Sequence, residues 1–167
     1  MQTLPATESI DPRTEQLDCW PPEAILASLW EGQLAAVAAT RAALPAIAAA
    51  AAAAAPLLAA GGRLVYAGAG TSGRIGVQDG AELPPTFNWP PDRLVLLMAG
   101  GDPAFTRSVE NAEDDTQAAE TAIARHAIGA GDVVIGIAAS GSTPFTTAAL
   151  RAAGARGALT IAVANSP

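Results

Sequence analysis

The stretch GGRLVYAGAGTSG, from Gly61 to Gly73, constrains the fold of this 167-residue chain more than any other. It begins with a short apolar run, Leu64 to Ala67, and continues into closely spaced glycines with two hydroxyls, Thr71 and Ser72, before the last of them. Glycines let the backbone turn sharply and approach a ligand closely, while the first turn of a following helix offers free N–H groups and the positive end of its dipole. The sequence therefore predicts a buried strand, a tight turn and a helix whose N-terminus binds a phosphate group.

The same glycines also spell G-x-G-x-x-G, the fingerprint of a dinucleotide site, at Gly68, Gly70 and Gly73. Such a site needs an acidic residue about 20 positions further on, at the end of the second strand, to hold a ribose. Asp92 has that spacing but precedes the next apolar run, and Asp102 lies beyond it. The hydroxyl pair favours a small phosphate ester, whose terminal oxygens need several donors. A purely structural glycine-rich turn is the remaining alternative.

The formal charge of −7 disfavours nucleic acid and anionic membranes as partners, since both require clustered Lys or Arg. An anionic ligand must therefore be held by local donors. The single cysteine, Cys19, excludes an intramolecular disulfide and fits a reducing cytoplasm, and the N-terminal residues lack the pattern of a signal peptide. No cluster of residues predicts a metal site, and His126, near a predicted helix end, is expected to pack or to cap the helix.

An uncharged stretch between Arg41 and Arg63 is long enough to span a bilayer by count alone. Its content argues against a membrane span, because Ala48 to Ala55 is only weakly apolar and Pro45 and Pro56 interrupt the stretch. The sequence predicts instead an alanine-rich helix packed against a sheet, and no membrane partner.

Proline, glycine and apolar spacing divide the chain into an irregular arm (1–19), N-terminal helices (20–60) and an α/β core (61–167), all within a single domain. The N-terminal helices are predicted from Pro21-Pro22 to Val37 and from Pro45 to Ala60. Trp20 and Trp30 are expected to pack in the core or against another subunit.

Strands and helices alternate through the predicted core. The first strand leads into a helix over Arg74–Glu82, which Pro84 and Pro85 cut short. The later elements are predicted as a strand over Leu94–Met98, helices over Asp102–Ala112 and Thr116–Ile128, a strand over Val133–Ala138, a helix through Ala153 and a strand over Leu159–Val163. This alternation predicts an α/β fold with three αβα layers around a doubly wound parallel sheet, incomplete at its C-terminal end.

A second polar loop, Ser140-Gly141-Ser142-Thr143, follows the third strand and opens the next helix. Ligands of doubly wound sheets bind at the carboxyl ends of the strands, so two such loops are more specific than one. The candidate ligand-binding residues are Gly70, Thr71, Ser72 and Gly73 in the first loop and Ser140, Gly141, Ser142 and Thr143 in the second.

With both loops in view, the chain resembles the sugar isomerase (SIS) domain superfamily of phosphosugar binders and, within it, the N-acetylmuramic acid 6-phosphate etherase family. The stretches that carry the resemblance are GGRLVYAGAGTSGRIGVQDGAELPPTF (Gly61 to Phe87), LMAGG (Leu97 to Gly101), VENAEDD (Val109 to Asp115) and DVVIGIAASGSTPF (Asp132 to Phe145).

The resemblance implies a cytoplasmic carbon–oxygen lyase, active as a homodimer without metal or nicotinamide. It would cleave the lactyl ether of its sugar phosphate, giving N-acetylglucosamine 6-phosphate and D-lactate by elimination and water addition. It also implies two catalytic glutamates. Glu82 would protonate the leaving oxygen and activate water, and Glu113 would take the proton from carbon 2. Because Glu110 lies three residues before Glu113, spacing alone does not choose between them.

The chain departs from the family pattern in three respects. Ser142 stands where the family usually has arginine, Ala81 and Leu83 replace the usual neighbours of Glu82, and everything that family members carry after the fourth strand is expected to be absent. A phosphosugar-sensing regulator without activity and a dinucleotide-binding domain therefore remain alternatives. Arg74, directly after the first glycine turn, is open to either contact with an anion or a structural ion pair.

Overall fold

The computed structural model describes residues 9–165, which divide into two compact units, and the boundary in the sequence falls between Ala52 and Ala53. The helices are α1 (Pro22–Thr40), α2 (Leu44–Ala59), α3 (Gly70–Phe87), α4 (Thr116–Arg125) and α5 (Pro144–Ala155). The strands are β1 (Leu64–Gly68), β2 (Leu94–Met98), β3 (Val133–Ile137) and β4 (Leu159–Val163). Part of the predicted irregular arm, residues 1–8, lies outside the described residues, and residues 9–19 contain two 3-10 turns, Pro12–Thr14 and Leu17–Cys19.

The described residues of the first unit, 9–52, are mostly helical, and none of them is buried. Pro22 occupies the first turn of α1, as its fixed φ favours, and none of the residues of α1 is buried. Trp30 is 66% exposed, so it is not a core residue of the chain. Taken together, residues Pro22–Ala59 are long and apolar enough to cross a membrane by length and composition alone.

The second unit contains a four-stranded parallel sheet in the order β2-β1-β3-β4. All five residues of β1 are buried, which fits a strand covered on both faces. Strands β2 and β4 have the bounds that the sequence predicts. β4 pairs with β3 alone and is only partly buried, so it forms an exposed edge of the sheet.

Helices cover both faces of this sheet and confirm the predicted three layers. On one face Val65, Ala67 and Val134 pack with α4 and α5 through a set of core residues that includes Ile123, Phe145 and Ala149. On the other face Leu64, Tyr66 and Val133 pack against the end of α2 and against α3, through Ala54, Leu57, Leu58 and Leu83. The alternation of side chains along each strand therefore divides the core into two separate clusters.

Two predicted helices were wrong. α3 does not stop before Pro84 and Pro85 but continues to Phe87, because the prolines remove hydrogen bonds only in its last turn, where Leu83 packs on the sheet. The predicted helix Asp102–Ala112 is instead a 3-10 turn, Asp102–Phe105, followed by irregular chain and a second 3-10 turn, Ala112–Asp114. Asn111 adopts the left-handed conformation, which interrupts a helix.

An ion pair joins the starts of the two central strands. It lies at the N-terminal ends of the strands, whereas the two polar loops follow their C-terminal ends. Arg63 precedes β1 and binds Asp132, which precedes β3, through two nitrogens at 2.7 and 3.0 Å. The backbone N–H of Gly129 also donates to the Asp132 carboxylate. Burial by itself raises the pKa of Asp132, but hydrogen bonds from Arg63 and Gly129 and the Arg63 charge outweigh it, so the pKa lies below its usual value.

Replacing Asp132 with Asn should lower the free energy of unfolding by about 2–4 kcal/mol at neutral pH, because Arg63 would lose a partly buried counter-charge. The contribution of Asp132 is complete above the unfolded pKa of about 4 and is lost as the pH falls through its lower folded pKa. Urea unfolding of the Asp132→Asn variant at a series of pH values measures this. Asp92→Asn, at an exposed site, is the matched control. A difference between wild type and Asp132→Asn that persists unchanged at about pH 2 contradicts this assignment.

Candidate functional site

The two polar loops leave the sheet from neighbouring strands. The chain passes from β1 to β2 on one side of the sheet and then to β3 on the other, so the strand order reverses between β1 and β3. The last residue of β1, Gly68, pairs in register with the last residue of β3, Ile137. Ligands of doubly wound sheets bind at such a point. The structure therefore brings the predicted loops together at the C-terminal ends of two adjacent strands.

The first loop presents uncapped backbone donors. Ala69 is in the N-cap position of α3 but its side chain cannot cap, and the first N–H accepted within the helix is that of Gly73, bound to the Ala69 carbonyl at 3.0 Å. The N–H groups of Gly70, Thr71 and Ser72 are left for other acceptors. Gly70 and Thr71 are exposed and Ser72 is half-buried, so the donors are accessible.

Glycine is required where α3 crosses the end of β1. A Cβ atom on Gly73 would lie 2.5 Å from the Met98 sulfur and 2.8 Å from the carbonyl carbon of Gly68. Gly76 and Gly80 continue the same helix face and are buried against Tyr66 and neighbouring strands. This glycine face lets the N-terminus of α3 lie directly on the strand end.

Tyr66, on β1, holds α3 in place by a hydrogen bond from the sheet. Its hydroxyl donates to the carboxylate of Asp79, one of the exposed residues of the helix. Burial raises the pKa of Tyr66, and the neighbouring Asp79 carboxylate raises it further. The phenol therefore remains protonated at physiological pH and keeps donating to Asp79.

The second loop is organised by its own hydroxyls. The N–H and the hydroxyl of Ser142 both lie 3.2 Å from the Ser140 oxygen, and Gly141 takes a positive φ of 74°. Thr143 is the N-cap residue of α5, and its side chain makes no capping hydrogen bond. Pro144 then opens the helix. The four predicted residues of this loop thus surround a second uncapped helix N-terminus.

Thr146 is a feature that sequence reasoning missed. It lies one turn into α5 and is 2% exposed. Within residues 9–165, its hydroxyl is the buried side-chain oxygen that lacks a hydrogen-bond partner. A threonine in a helix carries no sequence signal of this kind, because its burial depends on how the helix packs.

A cavity of about 170 Å³ lies beside the first loop, on the β2 side. Its lining includes Gly70, Arg74, Glu110, Asn111 and Glu113. The structure thus brings Glu113 into one cavity with Gly70 of the first glycine turn. Glu110 also lines this cavity, so the structure does not separate the two glutamates by position. A larger cavity of about 780 Å³ lies between β2 and α4 and contains none of the residues of the two polar loops.

Glu82 lies elsewhere on the molecule. It is exposed on α3, and it lines neither cavity. Twelve residues of helix separate it from Gly70, which corresponds to roughly 18 Å along the axis. Within one chain, therefore, Glu82 and Glu113 do not face the same small cavity.

Arg74 connects the first loop with the segment that follows β2. One guanidinium nitrogen donates to the carbonyl of Ala104 at 3.1 Å, and the other lies 3.4 Å from the Thr71 hydroxyl. The ion pairs in the described part of the chain do not include Arg74. The sequence left two roles open for Arg74, contact with an anion and a structural ion pair. Within residues 9–165, the structure does not show the ion pair.

Titratable groups elsewhere do not form a metal site in the part of the chain that the structure describes, where no group of three or more His, Cys, Asp or Glu residues converges. His126, which was predicted to pack or to cap the helix, is the C-cap residue of α4, where its backbone N–H donates to the carbonyls of Ala122 and Ala124. Burial lowers the pKa of His126, and the charges of Arg125 and Arg63 lower it further.

Strand order, crossover helices and the position of the loops define a doubly wound α/β protein with a candidate ligand site at its switch point. Residues 46–154 match the family model of the glucokinase regulatory protein N-terminal SIS domain. The chain therefore belongs to this family of SIS domains. A phosphoheptose isomerase from Francisella tularensis has a similar structure, with a TM-score of 0.67 and 26% identity, covering 87% of this chain and 76% of that one.

Several curated relatives are N-acetylmuramic acid 6-phosphate etherases, which confirms the resemblance found in the sequence. Those of Deinococcus radiodurans and Streptomyces avermitilis are 52% and 47% identical, each over 96% of this chain. The matched regions make up 53% and 51% of those relatives. The chain thus spans about half the length of the curated relatives that it matches.

Replacing Gly73 with Ala should destabilise the second unit by about 1–3 kcal/mol. The new methyl group would clash with the Met98 sulfur and with the Gly68 backbone at the end of β1. Gly154→Ala, in α5, is the matched control, since its Cβ would meet only Thr160 at 3.7 Å. Thermal unfolding followed by circular dichroism compares the two variants. Equal melting temperatures would show that the close approach of helix and strand is not needed for stability.

Proposed function

We propose that this chain is the part of an N-acetylmuramic acid 6-phosphate etherase that binds the sugar phosphate and removes the carbon 2 proton. The observation that carries the proposal is the meeting of two uncapped helix N-termini at one switch point, with a cavity containing Glu113 beside the first of them. The identity to etherases over 96% of the chain supports the particular substrate.

The phosphate of the substrate would bind between the two loops. Backbone N–H groups of Gly70 to Ser72 and the hydroxyls of Thr71 and Ser72 supply donors from one side, while Gly73 lets the helix start lie close to the strand. Ser140, Gly141, Ser142 and Thr143 supply them from the other. Two helix dipoles directed at the same anion offset the chain's net charge of −7 locally. Ser142 contributes a neutral hydroxyl where the family usually has arginine, so backbone donors carry more of the binding.

The reaction is an elimination followed by addition of water. Opening of the sugar ring exposes an aldehyde at carbon 1, which makes the carbon 2 proton acidic. Glu113 takes that proton, the bond from carbon 3 to the ether oxygen breaks, and lactate departs after its oxygen is protonated. Water then adds to carbon 3 of the unsaturated aldehyde. Each positioned proton transfer typically contributes about 10²–10⁴ in rate, and none of these steps needs a metal or a redox cofactor.

Glu82 would act from a second copy of the chain, as the acid that protonates the leaving oxygen and then activates water. Its distance from the cavity within one chain supports an active site shared between subunits of a homodimer. The exposed apolar side chains of α1, among them Leu26, Leu29 and Trp30, also support self-association. We place this dimer in the cytoplasm and not in a membrane, because Glu23 and Glu31 lie within α1 and the uncharged α2 consists mainly of weakly apolar alanine, with a proline inside it.

A non-catalytic phosphosugar sensor is the second candidate function. The observation that favours it is the match of residues 46–154 to the SIS domain of glucokinase regulatory protein. Saturable sugar-phosphate binding by a folded wild-type chain that releases no lactate would favour this function over the etherase. A dinucleotide site is less well supported, because β2 ends at Met98 and is followed by Ala99 and Gly100 without a carboxylate.

The Glu113→Gln variant should release lactate at least about 10²-fold more slowly, because the base that takes the carbon 2 proton is lost. Its affinity for N-acetylglucosamine 6-phosphate should stay unchanged. A coupled lactate assay and calorimetric titration measure the two effects. Glu120→Gln, an exposed change that lines neither cavity, is the control. If Glu110→Gln abolishes turnover and Glu113→Gln does not, the roles of the two glutamates must be exchanged.

Mixing inactive Glu82→Gln chains with inactive Glu113→Gln chains should restore lactate release. In a mixed dimer, one of the two sites would combine an intact Glu113 from one chain with an intact Glu82 from the other. Size-exclusion chromatography establishes that mixed dimers form. If they form without recovery of activity, Glu82 does not act across the subunit boundary.

A further inference from the structure

Arg74 lines the smaller cavity and has more hydrogen-bond donors than its two contacts use. A guanidinium group carries five N–H donors. The two recorded contacts, to the Ala104 carbonyl and the Thr71 hydroxyl, occupy only part of this set. The side chain is half-buried and lines the cavity, so its remaining donors are available to a ligand.

Arg74 is the positively charged residue among the described residues that line this cavity. Glu110 and Glu113, which also line it, carry negative charge. An anionic group in this cavity would meet two carboxylates. It could therefore bind only next to Arg74, which fixes both its position and its orientation.

The cavity also lies on a different side of the first loop from the phosphate site. The phosphate donors converge where β1 and β3 end side by side. The cavity lies toward β2, whose following residue, Ala99, donates its N–H to the Gly68 carbonyl at 3.0 Å. None of the residues of the second polar loop lines it. A ligand with two anionic groups would thus find separate donors for each of them, at the switch point and beside Arg74.

We propose that Arg74 is the specificity-determining residue that binds the carboxylate of the substrate's lactyl group. The inference rests on the proposed etherase function and goes beyond it by assigning a separate site to the second anion of the substrate. The lactyl ether is attached to carbon 3, next to the carbon 2 proton that Glu113 removes. A carboxylate bound by Arg74 would therefore place the bond to be broken beside the base.

Guanidinium chemistry fits this task. Its planar array of donors matches a carboxylate in two parallel hydrogen bonds, which lysine cannot reproduce. The contact with Ala104 anchors the side chain on the segment after β2, so the group is held in place before the ligand arrives. The same contact makes Arg74 sensitive to how that segment packs.

The test compares three ligands: N-acetylglucosamine 6-phosphate, which lacks the lactyl group, N-acetylmuramic acid 6-phosphate, and its lactyl amide, which lacks the negative charge. Binding is measured by calorimetry with the 167-residue chain carrying Glu113→Gln, so that the substrate is not consumed. Adding Arg74→Gln should weaken binding of the lactyl carboxylate about tenfold to a hundredfold. Binding of the other two ligands should not change.

The variant Arg107→Gln is the matched control. It removes an exposed arginine charge from the segment after β2, the segment that Arg74 contacts at Ala104, and Arg107 lines neither cavity. Arg74→Lys should bind the carboxylate more weakly than wild type, since it retains the charge but loses the paired donors. If Arg74→Gln does not fold, the three ligands still provide the test. With Arg74 intact, the carboxylate must bind more tightly than the amide, and equal affinities overturn the inference.

The remaining outcomes separate this inference from the proposed function. If Arg74→Gln weakens all three ligands equally, Arg74 binds the phosphate and the lactyl assignment is wrong, although the etherase proposal stands. If it weakens none of them, Arg74 only holds the Ala104 segment, and the inference is again overturned. If the chain with Arg74 intact binds none of the three ligands, the proposed function fails and this inference fails with it.

Discussion

The close contact between Gly68 and Gly73 is the constraint on which the rest of the site depends. Because neither residue carries a side chain, the first turn of α3 lies directly on the end of β1. This contact aims the free N–H groups of Gly70 to Ser72 at the edge of the sheet where β3 also ends. A methyl group at either position would tilt the helix away and separate the two loops. Tyr66 and Asp79 then hold the helix in the orientation that the glycines permit.

The proposed site would let an acidic chain bind an anion. Long-range electrostatics oppose binding, since the net charge is −7. Backbone dipoles at two helix starts and the single guanidinium of Arg74 supply donors within contact distance, where they outweigh more remote, solvent-screened charges. Keeping the phosphate donors apart from Arg74 would also let the chain distinguish a ligand with two anionic groups from a ligand with one.

Local sequence patterns predicted the strands well and the segment after β2 poorly. The run Leu94–Met98 is continuously apolar, which is typical of a strand buried on both faces, and its bounds were correct. For α3, the rule that proline ends a helix failed, because packing of Leu83 retains a last turn that local preference would release. Between Asp102 and Asp114, a capping residue and a proline suggested a helix. Asn111 instead adopts a left-handed conformation, which interrupts a helix, and it lines the same cavity as Glu113.

By itself, the sequence determined the class of fold and the two loops that follow β1 and β3, and it led to the proposal that their residues bind a phosphate. It could do so because glycine spacing and apolar runs act through the local backbone, within a few residues of each position. Only the tertiary structure decided that Arg74 and Glu113 share a cavity while Glu82 faces away from it, and that Thr146 is buried without a partner. These relations depend on the order of the strands and on how closely each helix packs against them, which bring together residues far apart in the chain.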